Sequence, residues 1–136
     1  MSRAQGVRAW HILYGVSMLM YLINAGMLIY FQFQYYVNPH FINSMITALP
    51  PIYASYVSQM VSDLQSGIIG ILATISVILI LVMTYIVAGT LLNQSRGMGR
   101  SIRIALLILL LIQVFFGNTG LVLGLIIGIV SIALMK

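Results

Sequence analysis

Ionisable side chains are scarce in this chain, and each is first considered for proton, cation or metal chemistry. Asp63 is the only acidic residue, and His11 and His40 are the only histidines. A carboxylate that carries a proton or a cation across a membrane needs membrane depth and a partner. A haem or metal site needs ligands that converge on one point. Both kinds of chemistry therefore depend on where the chain places these three residues.

Two amide side chains, Asn24 and Gln113, lie inside long apolar stretches. An amide surrounded by hydrocarbon usually hydrogen-bonds to a neighbouring helix, which stabilises the pair by roughly 0.6–2 kcal/mol. The structural interpretation of both residues is helix association, and the functional interpretation is contact with a transported substrate. The apolar stretches also contain hydroxyl groups, which can donate to backbone carbonyls of the helix that carries them. These hydroxyls belong to Ser17, Thr74, Ser76 and Thr84.

The sequence carries no recognisable catalytic constellation. It has no cysteine, no pair of carboxylates, no Ser/His/Asp arrangement at membrane depth and no Walker-type glycine-rich loop. We therefore expect a protein that is not an enzyme and that has no catalytic residues, no metal and no cofactor. The lack of cysteine also excludes disulfide bonds, which for a chain partly outside the cell fits a Gram-positive envelope.

Composition places the chain in a membrane. Its 136 residues are 62% hydrophobic and 5% charged, whereas about a quarter of the residues in soluble domains are charged. So few charges cannot keep a globular surface wetted, and we predict an integral membrane protein. The net charge of +5 would also suit nucleic acid, but the basic residues lie in three places that membrane orientation explains better. We therefore expect no nucleic-acid partner.

Four apolar stretches define the predicted elements. A helix crosses a bilayer with about 20 apolar residues, and we predict an all-α fold of four transmembrane helices at 9–31, 67–92, 101–116 and 120–135. The last two cover roughly 24 Å each at about 1.5 Å per residue, less than the hydrocarbon thickness of about 30 Å. Local thinning or snorkelling of Arg103 would close the gap, and a re-entrant hairpin is the alternative. In both cases residues 117–120 form a tight turn between antiparallel helices.

The basic residues set the topology. Cytoplasmic loops are enriched in Lys and Arg, and an even number of crossings puts every basic residue of this chain on one side. We predict that both termini and the loop 93–100 are cytoplasmic. The loop is interpreted as a topology signal that could also meet anionic lipid. The basic residues concerned are Arg3, Arg8, Arg96, Arg100, Arg103 and Lys136.

The segment 38–66 then lies outside the membrane, and it has no basic residue. Asn38 and Pro39 predict a helix start, and a pair of prolines breaks this first outer helix. We expect the second outer helix to continue into the second span with a bend at Gly67 and Gly70. Its apolar face is the predicted outer interaction face, formed by Tyr53, Tyr56, Val57, Met60, Val61 and Leu64.

This layout decides the chemistry of the ionisable groups. Asp63 falls on the polar face of the second outer helix, where we expect a solvated carboxylate. His11 lies at the inner boundary and His40 outside, so the two histidines do not share a metal site. The polar face lacks the Lys and Arg that a helix lying on lipid usually carries. We expect the apolar face to pack against the membrane interface or the protein's own outer turn. The missing Lys and Arg shift this expectation toward the alternative, which is contact with a partner protein.

Three glycines, Gly120, Gly124 and Gly128, recur every fourth residue in the last predicted span. Glycine in a helix costs roughly 1 kcal/mol against alanine, but small residues at this spacing let two helices approach closely in lipid. We therefore predict that the glycines pack against another helix. That helix is internal, most simply the third span or the second span with Gly67 and Gly70, or it belongs to another subunit.

These features predict a small non-enzymatic accessory, assembly or regulatory subunit. It would bind a larger membrane complex, such as a transporter or envelope machinery, through its helices and outer segment. It would be a multi-pass protein of a Gram-positive plasma membrane, and it would also contact the membrane lipids. The alternative is a small homo-oligomeric transporter or channel with a polar path that includes Ser17, Asn24, Thr74 and Gln113.

Overall fold

The computed structural model describes residues 9–92 and 99–135, and helices account for 88% of these residues, with no strand among them. The predicted all-α fold is therefore confirmed for this part of the chain. A short 3-10 helix covers Pro51–Tyr53. The α-helices are α1 (Ala9–Val37), α2 (Pro39–Thr47), α3 (Ala54–Ser66), α4 (Ile68–Leu92), α5 (Arg100–Phe115) and α6 (Leu123–Leu134).

Two helices are much longer than the others. The α1 helix has 29 residues and α4 has 25, and both are long and apolar enough to cross a membrane. The α5 and α6 helices have 16 and 12 residues. At about 1.5 Å per residue they measure roughly 24 Å and 18 Å. Within the described ranges, two spans rather than the predicted four are thus supported by helix length.

The first helix runs six residues beyond its predicted end at residue 31 and stops at Val37. It stops there because the next residue, Asn38, precedes a proline, which disfavours helical backbone at that position. Asn38 has the expected N-cap position for α2 with Pro39 in the first turn, but its side chain makes no capping hydrogen bond.

The second outer helix and the second span were expected to be continuous, and the structure separates them. Gly67 ends α3 in the left-handed conformation with φ of +78°, and α4 begins at the next residue. Glycine adopts this backbone without steric cost, whereas residues with a Cβ rarely do. A Cβ at Gly67 would also lie 2.7 Å from the Tyr36 hydroxyl oxygen.

The turn between α5 and α6 is longer than residues 117–120. The last helix begins at Leu123, three residues later than predicted. Gly120 therefore lies in the turn, with φ of +59°, and is not part of the helix that carries Gly124 and Gly128. Leu121 and Val122 also have positive φ, an uncommon backbone for branched residues.

The α1 helix is the centre of the fold, and its Ala9 end is called the inner end. One stripe of α1 contacts α6 through Ser17 and Tyr21, and the same stripe contacts the turn before α6 through Asn24. Phe31 and Tyr35 lie further along the same stripe, because residues 3, 4 and 7 apart share a helix face. They contact α2 and α3. The α2 helix, the 3-10 helix and α3 together form what we call the outer cap.

Two apolar clusters result. The outer core consists of Ile42, Ile46 and Leu64, packed against Phe31, Tyr35, Val57, Val61 and Ile69. The inner core joins α1, α4, α5 and α6, and its buried members are Trp10, Tyr14, Met18, Tyr21, Ile80, Met83, Val87, Leu106, Leu110, Ile132 and Met135.

Candidate interaction surface

The predicted outer interaction face is divided by the fold into two halves. Leu64 is buried, and Val57 and Val61 pack beside it against the outer core. These three residues lie at i, i+4 and i+7 along α3, which is one stripe of a helix. They stabilise the cap itself and are not available to a partner.

The other half of the face is exposed. Tyr56 is 72% exposed, and Tyr53 and Met60 are nearly half exposed. Ile52, in the 3-10 helix, is 80% exposed and adjoins them in sequence. We call Ile52, Tyr53, Tyr56 and Met60 the outer patch. Tyrosine and methionine are enriched in protein interfaces, and none of the four side chains is charged.

Ile52 was not among the predicted face residues. The helical periodicity begins at Tyr53, and Ile52 precedes it, directly after the proline pair. One signal could have identified Ile52 as part of the face. It is a large apolar residue beside a proline pair, in a segment that has no basic residue.

The cap is joined to the two long helices by the side-chain amide of Gln32. Its Nε2 donates to the Leu64 carbonyl at 2.9 Å, and its Oε1 accepts from the Gly70 N–H at 3.2 Å. A Cβ at Gly70 would lie 2.8 Å from Gln32 Cγ. Gly67 and Gly70 thus make room for Tyr36 and Gln32 of α1. Sequence reasoning missed Gln32 because it lies one residue beyond the predicted first span.

A groove of about 580 Å³ runs between α1 and α4 near this junction. Three of its polar side chains are already bonded, since Gln32 uses both amide atoms, Thr74 Oγ1 donates to the Gly70 carbonyl at 2.8 Å, and Ser66 Oγ donates to the Asp63 carbonyl at 2.9 Å. The groove therefore offers mainly apolar contact. Its larger apolar lining residues are Ile29, Phe33, Tyr36, Ile71 and Ile75.

The glycines at 120, 124 and 128 lie mainly against α1, whereas the third or second span was the predicted internal partner. A Cβ at Gly124 would lie 2.9 Å from Met20 Cβ, and one at Gly120 would lie 2.8 Å from Tyr21 Cδ2. Ser17 Oγ donates to the Gly124 carbonyl at 2.6 Å. A Cβ at Gly128 would meet both Ser17 Oγ and a Leu110 methyl. All three glycines thus lie against α1, and Gly128 also lies against α5, the third predicted span.

Asn24 joins α1 to the turn before α6. Its Oδ1 accepts from the N–H groups of Thr119 at 3.3 Å and Leu121 at 3.1 Å. Asn118, which sequence reasoning did not single out, is fully buried beside it. Its Nδ2 donates to the Tyr21 carbonyl and its Oδ1 accepts from the Gly120 N–H, both at 3.1 Å.

Gln113 also connects helices. Its Nε2 donates to Met83 Sδ of α4 at 3.5 Å, while its buried Oε1 has no hydrogen-bond partner within the described residues. Among the predicted cytoplasmic basic residues, Arg103 donates from Nη1 to the Met135 carbonyl at 3.1 Å. A cation is favourable there, because the carbonyl end of a helix carries partial negative charge. Arg100 is exposed at the start of α5, and Arg96 lies outside the described residues.

Asp63, His11 and His40 do not converge on one point, and the described residues hold no cluster of potential metal ligands. Asp63 Oδ1 accepts from Gln59 Nε2 at 2.9 Å on the exposed side of α3. His11 packs edge-on to Trp10, with ring centroids 4.0 Å apart. His40 is exposed on α2, which follows the far end of α1. The two histidines are therefore far apart, with His11 near the first residue of α1 and His40 just beyond its last residue.

No family model matches this sequence, and comparisons with curated proteins and with solved structures find no match. The geometry described above is therefore the basis for the function.

Proposed function

We propose that the chain is an integral protein of a bacterial cell membrane, most simply a Gram-positive plasma membrane, with its N- and C-terminal ends in the cytoplasm. The length and apolar composition of α1 and α4 support two complete crossings. The basic residues near both termini and before α5 support the orientation. The hairpin of α5 and α6 enters the membrane from the cytoplasmic side, and the outer cap lies on the extracytoplasmic side.

Within that arrangement, the chain acts as a non-enzymatic accessory subunit of a larger membrane protein complex. The outer patch carries this proposal. Its four large side chains project from a cap whose core is already filled by Ile42, Ile46 and Leu64. Tyrosine anchors of this kind contribute strongly to binding when a partner buries them. The segment 32–66 has no Lys or Arg to hold the cap on anionic lipid.

The alternative, a homo-oligomeric transporter or channel, needs free polar groups along its path. Three of the four expected lining groups are bonded to backbone instead. Ser17 donates to the Gly124 carbonyl, Thr74 donates to the Gly70 carbonyl, and Asn24 accepts from two turn N–H groups. Using them for a substrate would break contacts that hold the fold together, which favours the accessory role.

Affinity purification in mild detergent tests the proposal. We expect the tagged chain to recover one larger membrane protein in fixed stoichiometry, and expect Ile52→Ser and Tyr56→Ser to lower that recovery by about tenfold or more, as for an interface hot spot. Tyr85→Ser is the matched control, because Tyr85 is 81% exposed on α4, away from the cap. A closed ring of identical chains that carries flux in liposomes would replace the accessory role with the transporter.

A further inference from the structure

The turn between α5 and α6 satisfies its backbone donors within the protein. Every residue from Phe116 to Val122 donates its N–H to a protein acceptor. Four of these N–H groups donate to backbone carbonyls of neighbouring residues. The acceptors for 119, 120 and 121 are the side-chain oxygens of Asn24 and Asn118. A turn in water has no need of such complete internal bonding, because water accepts from free N–H groups.

The turn lies beside the middle of both long helices. At about 1.5 Å per residue, Asn24 is roughly 22 Å from the Ala9 end of α1 and roughly 20 Å from its Val37 end. Gln113, close to the turn, contacts Met83, which is roughly 14 Å from the Leu92 end of α4. The hairpin therefore covers only the inner half of the α1 and α4 pair.

The base of the hairpin gives a second measure of its depth. Arg103 and Met135 are joined there by a hydrogen bond, and a guanidinium at this position belongs near the headgroups. From Arg103 to the end of α5 at Phe115, the helix rises roughly 18 Å. The hydrocarbon layer is about 30 Å thick, so the tip stops well short of the far headgroups.

From these three observations we infer that α5 and α6 form a re-entrant hairpin, which turns near the bilayer midplane and does not cross. The inference rests on the proposed membrane location of α1 and α4. Irregular backbone at membrane depth is tolerated only where protein or enclosed water satisfies its polar groups. Asn24 and Asn118 supply the acceptors for three of the N–H groups of the turn, so they are positioning residues for the hairpin tip.

Single cysteines test the depth, since the chain has no native cysteine. Phe115→Cys reports the tip, at a side chain that is 85% exposed and not needed for packing. Ser55→Cys in the outer cap and Ser101→Cys at the start of α5 are exposed controls. In sealed cells and inverted vesicles, a membrane-impermeant maleimide should label Ser55→Cys only from outside and Ser101→Cys only from the cytoplasmic side. It should label Phe115→Cys from neither side until detergent is added, because the thiolate needs water.

Labelling of Phe115→Cys from outside at the rate of Ser55→Cys would establish four full spans and overturn the inference. Labelling from the cytoplasmic side would equally overturn the midplane position. A spin label on the same cysteine gives an independent depth, and we expect oxygen to reach it far better than a water-soluble nickel chelate. If the two control cysteines label from the same side, the proposed membrane topology itself fails, and the hairpin inference fails with it.

Discussion

The inner and outer halves of α1 use the same helical stripe in different ways. In the inner half, Ser17 and Tyr21 meet the backbone of Gly124 and Gly120. In the outer half, Phe31 and Tyr35 meet the large side chains of the outer core. The inner contact is between a helix and nearly bare backbone, whereas the outer contact is between side chains.

This difference separates two purposes of apolar surface. Where backbones approach closely, there is no space for an added methyl group, and polar groups must find partners inside the protein. Where side chains meet, the cap fills its core with half of an apolar face and exposes the other half. The contacts of the inner half thus stabilise the fold, whereas the outer half leaves apolar surface exposed that a partner could bind.

The largest expected effect is that of Asn24→Leu, which removes the acceptor for two turn N–H groups. At the membrane depth inferred above, each N–H left without an acceptor costs about 1–3 kcal/mol, so we expect a loss of about 2–6 kcal/mol. Thermal unfolding of the purified protein in detergent measures it. Gln34→Leu is the matched amide control on α1, because its side chain makes no hydrogen bond to the part of the chain that the structure describes. The unfolding temperature of this variant should change little. Equal shifts for the two variants would mean that Asn24 does not hold the turn.

Next is Leu64→Ala in the outer core, compared with Tyr56→Ala in the outer patch. A buried leucine truncated to alanine costs about 2–5 kcal/mol, whereas an exposed substitution changes stability by about 0.5 kcal/mol or less. We expect Leu64→Ala to lower the unfolding temperature and Tyr56→Ala to lower partner recovery without destabilising the protein. A stability loss at Tyr56 similar to that at Leu64 would show that the outer patch is part of the fold.

The glycine contact is tested by Gly124→Leu, with Gly26→Leu on α1 as control. The new side chain at Gly124 must displace Met20 and the α1 backbone near Ser17, whereas a Cβ at Gly26 has no neighbour within 4 Å. Overpacking costs about 1–3 kcal/mol, so we expect Gly124→Leu alone to destabilise. The same unfolding measurement decides, and a neutral Gly124→Leu would contradict the close approach of α1 and α6.

Hydropathy predicted α1 and α4 well, because an uncharged run of more than 20 residues has few alternatives to a long helix. Helix ends were predicted less well. The extension of α1 to Val37 depends on Gln32 finding partners on α3 and α4, which no local pattern reveals. Gly120 fits the four-residue spacing, yet its positive φ places it in the turn, because Asn24 and Asn118 hold the surrounding backbone there.

The candidate surface was predicted in the same partial way. Periodicity identified the apolar face of α3, but it could not say which stripe would face Ile42 and Ile46. That choice depends on how the proline pair redirects the chain after α2, and so on the relative placement of two short helices. The division between Leu64 inside and Tyr56 outside therefore became visible only in the fold.

The smallest expected effect is that of Arg103→Met at the base of the hairpin. It removes the hydrogen bond to the Met135 carbonyl and the favourable cation at the end of α6, which is typically worth about 0.3–1 kcal/mol. Arg100→Met removes the same charge from an exposed side chain three residues earlier. Unfolding in a neutral detergent at low salt should show a small loss for Arg103→Met and none for Arg100→Met. Added salt should reduce the difference, because screening weakens it, and equal losses would assign the effect to net charge alone.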